Sequence, residues 1–161
     1  MVLLKDVFSG WNKTQLYGFT QYAKDHPNYY TDGVHKGWDF GEPIGRLILS
    51  AHSGLVVRVD KRKRYNKKGI EIGKGLLVSI WDKKQGIATR YCHMSEIIVG
   101  VGEYVNSRAP IGYVGNTGFS KGSHLHFEIM RTDTRGYVLD KDNIYDGTID
   151  PGDNKLVRWI S

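Results

Sequence analysis

A single cysteine, Cys92, occurs in a chain of 161 residues. A lone thiol excludes an intramolecular disulfide framework and a cysteine-rich structural zinc site. Long apolar runs are also missing, since no stretch approaches the roughly 18 consecutive apolar residues of a membrane helix. The opening Met1-Val2-Leu3-Leu4-Lys5-Asp6 lacks the apolar centre of a secretory signal, so none is read there. Internal repeats, low-complexity tracts and helical periodicity of useful length are absent too. Acidic residues are in deficit: 23 Lys and Arg against 17 Asp and Glu leave a formal charge of +6. That balance favours an anionic partner, whether nucleic acid, an acidic cell envelope or a phosphate-rich polymer.

What the chain does contain is glycine, 20 residues of it, among frequent aromatic and β-branched side chains. This mixture predicts many short strands joined by tight turns. The length fits one domain, residues 1–161, with enough chain for a hydrophobic core. The expected fold is one predominantly β domain. Residues 1–32, with Trp11, Tyr17, Phe19, Tyr22, Tyr29 and Tyr30 spaced by polar and turn residues, read as a wrapping segment of loops and one short strand. His26 reads as an exposed loop histidine and His52 as a turn residue without chemistry. Leu47–Leu49 and Leu55–Val59 read as strands around the turn at His52-Ser53-Gly54, and a polar tail closes the chain near Asp150-Pro151. Lys61 to Lys68 carries much of the positive charge and reads as a solvated loop or a landing site for an anionic polymer. Gly75–Trp81 and Ile87–His93 flank Asp82-Lys83-Lys84-Gln85-Gly86, a hairpin signal. On its second strand, alternation puts Thr89, Tyr91 and His93 on one face and Cys92 on the other. That geometry disfavours a Cys92–His93 nucleophilic dyad and leaves Cys92 as a packing residue.

The stretch Gly122-Ser123-His124-Leu125-His126-Phe127-Glu128 concentrates the chemistry. As a strand it buries Leu125, Phe127 and Ile129 together and aligns His124, His126 and Glu128 on the opposite face. Two adjacent imidazoles can share a metal ion or hydrogen-bond at a surface, and Glu128 fits either a group behind a ligand or a plain surface carboxylate. His35 and Asp39, four apart around Gly37, offer an imidazole and a carboxylate from one face, with the glycine permitting a bend or a close approach. His93 closes the second hairpin strand in this reading, a position from which it can project into a cleft. Catalytic zinc commonly takes three protein ligands and leaves one position open. His35, Asp39 and one histidine of the central pair make that number, leaving His93 and the other histidine beside the water.

Four motifs follow one another in a familiar order: His35-x-Gly37-x-Asp39, Tyr91-x-His93-Met94-Ser95, Gly115-x-Thr117-Gly118 and Gly122-x-His124-Leu125-His126-Phe127-Glu128. Together they resemble the lysostaphin-type (LytM) zinc endopeptidases of bacterial peptidoglycan, over roughly residues 33–151. Met94 replaces a usual leucine, and the basic segment up to Lys74 is long for its hairpin, which bears on the peptides the groove admits. The resemblance implies an antiparallel sheet of the duplicated-hybrid-motif type, with loops walling a narrow groove that holds one Zn2+. It implies His35, Asp39 and His126 as metal ligands, and His93 and His124 as catalytic residues. It further implies hydrolysis of cross-bridge or stem peptides at the bacterial cell wall, outside the cell. With no wall-targeting module or signal read in the chain, a bacteriophage product acting from a virion or larger assembly is also expected. The basic run would contact anionic wall polymers, with no nucleic-acid partner and no membrane span. The alternative is a non-catalytic domain of the same fold that binds the wall or activates a partner hydrolase. Such domains are expected to have lost ligands, and all five positions stand here.

Overall fold

The structure, a computed structural model, describes residues 1–8, 10, 12–27, 30, 33–139 and 147–160. Trp11 and Tyr29 therefore lie outside the described residues. Short strands succeed one another along the chain, as the glycine spacing predicts. The N-terminal segment holds β1 (Val2–Lys5), β2 (Lys13–Gln15) and the one-turn helix α1 (Gln21–Asp25). Then come β3 (Trp38–Gly41), β4 (Leu47–Leu49), β5 (Gly54–Asp60), β6 (Arg64–Tyr65) and β7 (Glu71–Ile72). The long hairpin is β8 (Leu76–Asp82) and β9 (Ile87–Ile97), followed by β10 (Tyr104–Val105) and β11 (Pro110–Val114). Last are β12 (His124–Arg131), β13 (Thr148–Ile149) and β14 (Val157–Ile160).

One antiparallel sheet runs in the order β10-β5-β8-β9-β12-β3-β2, with β4, β11 and β13 branching from it. Registry follows side-chain type. Tyr91 pairs with Phe127, and Phe127 with Trp38, so these three share the inner face. Tyr91, Phe127, Phe40, Leu125 and Ile129 are all fully buried there. At roughly 1.5–3 kcal/mol for each large apolar side chain removed from water, this layer is the main anchor of the central strands. Trp159 of β14 seals it, stacked on Trp38 at 5.7 Å and 10°.

The structure departs from the sequence reading at both ends of the chain and in the basic segment. The N-terminal segment and the polar tail are not simple wrapping: β1 and β14 pair in parallel, which joins the two ends of the chain. The basic segment is a small hairpin of β6 and β7 rather than a loop. Its root is clamped by Arg58, Arg62 and Arg64, which all converge on the buried carboxylate of Asp60.

Candidate functional site

On the outer face of β12, His126 pairs in register with Asp39 of β3 on one side and Cys92 of β9 on the other. Cross-strand partners share a face, so the sheet itself sets His126 beside Asp39. Asp39 Oδ1 lies 2.8 Å from His126 Nδ1. His35 reaches the same point from the loop before β3, with Nε2 3.1 Å from Asp39 Oδ1 and 3.0 Å from His126 Nδ1. Gly37 makes this approach feasible. A Cβ there would lie 2.2 Å from the Phe127 carbonyl oxygen and 3.1 Å from His126 Cε1.

The outer nitrogens of both imidazoles face acceptors. His35 Nδ1–H donates to the Leu16 carbonyl at 2.6 Å, and His126 Nε2–H donates to Glu128 Oε1 at 3.0 Å. In their neutral forms both rings therefore turn a lone pair inward, toward a carboxylate oxygen. Three lone pairs about 3 Å apart repel unless a cation sits among them, so the triangle must hold protons or a metal ion. Donor atoms ~2.0–2.1 Å from a tetrahedral zinc are about 3.3 Å apart, and nitrogen and oxygen donors suit that ion. The set His35, Asp39 and His126 fits the group.

Electrostatics agree with a cation-binding site. Burial raises the Asp39 carboxyl, but its hydrogen bonds to His126 and His35 outweigh this and hold it well below the usual carboxylate range. Burial alone would lower His126, yet Asp39 and Glu128 together push it above its ordinary value. Glu128, which the sequence left between two readings, is fully buried and paired with Arg90 and Lys74.

His93 and His124 complete the floor, their ring centroids 4.7 Å apart. Here simple alternation fails. On the alternating pattern His93 would join Thr89 and Tyr91 on the core side. Instead β9 carries a bulge: Tyr91 pairs with Val78 and Met94 with Leu76, so Cys92 and His93 together oppose Leu77. His93 takes φ 61°, a left-handed conformation rare for a residue with a side chain. The extra residue re-aims the imidazole onto the outer face, 6.0 Å from the His126 ring. Cys92 stays fully buried, and burial pushes its thiol up to about 12, which leaves it inert.

Backbone carbonyls orient both rings. His93 Nδ1–H donates to Thr117 at 2.7 Å and His124 Nδ1–H donates to Gly122 at 2.8 Å, so each presents Nε2 to the groove. The Gly115-x-Thr117-Gly118 motif thereby acquires a role. Thr117 Oγ1 bonds the Met94 carbonyl and the Leu76 N–H, fixing the loop to both strands of the bulge. Gly118 packs so tightly on the root of the basic hairpin that a Cβ would lie 2.2 Å from the Gly75 nitrogen. Burial, and then repulsion from His124 and His126, lowers His93 to about 3, so it is neutral at ordinary pH.

These residues line a groove of about 620 Å³. One wall is Phe119 to Ser123 with Gly73 and Lys74, and the facing wall is Thr14, Gln15, Tyr22 and Tyr30. The N-terminal wall went unread in the sequence because scattered tyrosines have no period. Tyr30 donates to Gln15 Oε1 at 3.1 Å, and its ring meets that of His35 edge-on at 5.7 Å. Burial, aided by the Asp39 charge, raises its hydroxyl to about 12. Neither His26 nor His52 lines the groove, although the His26 ring stacks on Tyr22 of its wall at 4.0 Å. His26 caps α1, with Nδ1–H on the Tyr22 carbonyl. His52 is buried rather than loosely placed in its turn. Its Nδ1–H donates to the Ser53 carbonyl, and its Nε2 lies 2.9 Å from Thr89 Oγ1.

The family model for peptidase family M23 matches residues 33–137. Peptidoglycan DD-endopeptidase ShyA of Vibrio cholerae serotype O1 is 33% identical over 105 residues, which cover 65% of this chain and 22% of that protein. Lysostaphin of Staphylococcus simulans is 31% identical over 114 residues, covering 71% and 21%. The chain thus spans about a fifth of the length of these curated relatives. Among solved structures, the catalytic domain of the antimicrobial peptidase lysostaphin from S. simulans aligns with a TM-score of 0.68 at 26% identity, over 88% of this chain and 89% of that one. A catalytic-domain variant of the prophage-encoded M23 protein EnpA from Enterococcus faecalis gives 0.62 at 28%, over 86% and 95%.

Proposed function

The chain belongs to peptidase family M23, and from that premise we propose that it is a zinc-dependent endopeptidase of bacterial peptidoglycan. The observation that carries the reading is the triangle of inward lone pairs on His35, Asp39 and His126, whose outer nitrogens are already committed. These three residues would hold one zinc ion. When bound, the ion supplies a Lewis acid for the scissile carbonyl and lowers the pKa of a coordinated water.

The protein's own groups do the rest. His93 and His124 are held by their Nδ1–H bonds, so their Nε2 lone pairs face the attacking water. Being neutral, His93 can take that water's proton as a general base. Returned to the departing amine, the same proton completes the hydrolysis. Held this way, a neutral ring has only a lone pair at Nε2. The imidazole that carries the proton is therefore the one that donates to the charge developing on the carbonyl oxygen, and either ring of the pair can take that part. The groove's two walls orient an extended peptide and exclude bulk water.

ShyA is a peptidoglycan DD-endopeptidase, which supports peptidoglycan as the substrate and hence action at the cell wall. The basic hairpin is the surface we assign to anionic wall polymers. Its arginines 62 and 64 are tied to Asp60, whereas Lys61, Lys63, Lys67 and Lys68 are exposed with no side-chain partner among the described residues. Mass spectrometry of fragments released from a panel of purified peptidoglycans, with and without a zinc chelator, tests the whole reading. Chelator-sensitive release of new peptide N-termini is expected, and the masses name the bond. No release from any wall by the zinc-loaded chain would overturn it.

A further inference from the structure

Glu128 is not a member of the donor triangle, yet it is fully buried and three donors converge on it. Oε1 accepts His126 Nε2–H at 3.0 Å, Oε2 accepts Arg90 Nη1 at 2.8 Å, and the Lys74 ammonium lies against Oε1. Taking a carboxylate out of water costs several kcal/mol, and the two cations offset that cost. A neutral imidazole carries one proton, on one nitrogen or the other. With Glu128 accepting at Nε2, the proton is held there and Nδ1 is left bare toward His35 Nε2 and Asp39 Oδ1. Without an acceptor at that position, the proton is free to settle on Nδ1. There it would bond Asp39 Oδ1, 2.8 Å away, and close the triangle to a metal.

Lys74 adds a second link. Its side chain meets Glu128, while its carbonyl accepts the His93 N–H at 3.0 Å, at the left-handed bulge. One residue at the root of the basic hairpin therefore touches the supports of both His126 and His93.

We propose that Glu128 is a positioning residue that selects the His126 tautomer able to bind metal, with Arg90 and Lys74 balancing its charge. The proposal rests on reading the triangle as a zinc site. Two measurements test it without any peptidoglycan. Zinc affinity, read by competition with a chromogenic chelator, should fall about 10–100-fold in Glu128→Leu, which has no acceptor. Glu128→Gln should recover most of that loss, because its side-chain carbonyl still accepts the Nε2 proton. A role in filling space alone needs no acceptor, and leucine would then bind zinc as tightly as glutamine, the isostere of glutamate. If Glu128→Leu folds poorly, nitrogen NMR of the histidine-labelled, zinc-free unaltered chain at alkaline pH, where the ring is neutral and no metal fixes the tautomer, decides the matter. The proton on His126 should reside on Nε2, in slow exchange with solvent. Its presence on Nδ1, or Glu128→Leu affinity within twofold of the unaltered chain, overturns the proposal. Failure of the unaltered chain to bind zinc would sink the zinc-site reading together with this one, whereas unchanged affinity in a chain that does bind zinc sinks this one alone.

Discussion

His126 and His93 lie with ring centroids 6.0 Å apart, yet opposite kinds of structure hold them. His126 stands in a regular strand, registered against Asp39 and Cys92 and backed by a buried carboxylate. His93 stands on a bulge at positive φ, and carbonyls from Thr117 and Lys74 fix its ring and its backbone. The rest of the floor is mixed, since His35 reaches in from the loop before β3 and His124 opens β12 in register with Gly41. Asp39 lies on a strand beside His126, while His124 is oriented by the Gly122 loop. A metal site needs fixed distances between donors, which a sheet provides through repeated registry. A proton-transferring pair needs an imidazole aimed off the sheet's own pattern, and a bulge supplies that.

Side-chain removal should break this comparison most sharply. His35→Ala, Asp39→Ala or His126→Ala should each abolish turnover and cost over a hundredfold in zinc affinity. That is roughly a quarter of the ~10–16 kcal/mol typical of four-ligand zinc sites. His93→Ala and His124→Ala should retain zinc and lose about 10²–10⁴-fold in kcat. Metal content after dialysis, read beside kcat, checks both. A fully active His124→Ala protein would remove that residue from the proposed mechanism.

Glycine variants address the supports instead of the groups. Gly37→Ala drives a methyl into the Phe127 carbonyl beside His126, and Gly118→Ala drives one into Gly75 beneath the loop that holds His93. Each should destabilise the fold by about 1–3 kcal/mol. In addition Gly37→Ala should weaken zinc binding more than it slows the loaded enzyme, and Gly118→Ala the reverse. Equal effects of the two variants on both readouts would mean that the halves are not separately supported.

Changes of pH should have smaller effects. The carboxylates of Asp39 and Glu128 overcome burial and raise His126 above its ordinary 6.5, so the metal-free triangle holds a proton to higher pH than a free imidazole would. Zinc must displace it. Apparent affinity should therefore rise with pH, by up to about tenfold per unit for each proton released, and level off once the site is deprotonated. Chelator competition across the neutral range reads the slope, and a flat profile would show that no proton leaves. Away from the groove, burial lowers His52 below 6.5 and keeps it neutral in the fold. The unfolded chain then binds the extra proton first. His52 contributes its full stability above about 6.5 and loses it as pH falls below that value. The Tm of the zinc-free protein should drop by a few degrees on acidification, and His52→Gln should flatten the part of that drop nearest 6.5.

Much of the donor triangle's setting was legible in the chain, and less of the rest. The alternation through Leu125, Phe127 and Ile129 foretold the buried face of β12, and all three are fully buried. Gly37 read as a point of close approach, and the Phe127 backbone is what approaches it. Thr89, Tyr91 and His93 could not all share a face as alternation required, because nothing local announces a bulge at a non-glycine residue. Tyr22 and Tyr30 gave no sign of forming a groove wall. Their spacing matches neither strand nor helix, and their partners are far away in sequence. Glu128 was undecided for a related reason, since the cations that make its burial tolerable come from β9 and from the root of the hairpin.

By itself the sequence determined the strand alternation, the turns and the inventory of imidazoles and carboxylates, because these depend on local sterics and on chemistry carried by single residues. Only the tertiary structure decided which nitrogen of each ring faces inward, that His93 turns away from the core, and that both chain ends close against one another. Those outcomes are set by hydrogen-bond acceptors and register partners supplied from distant strands, which no local window of residues contains.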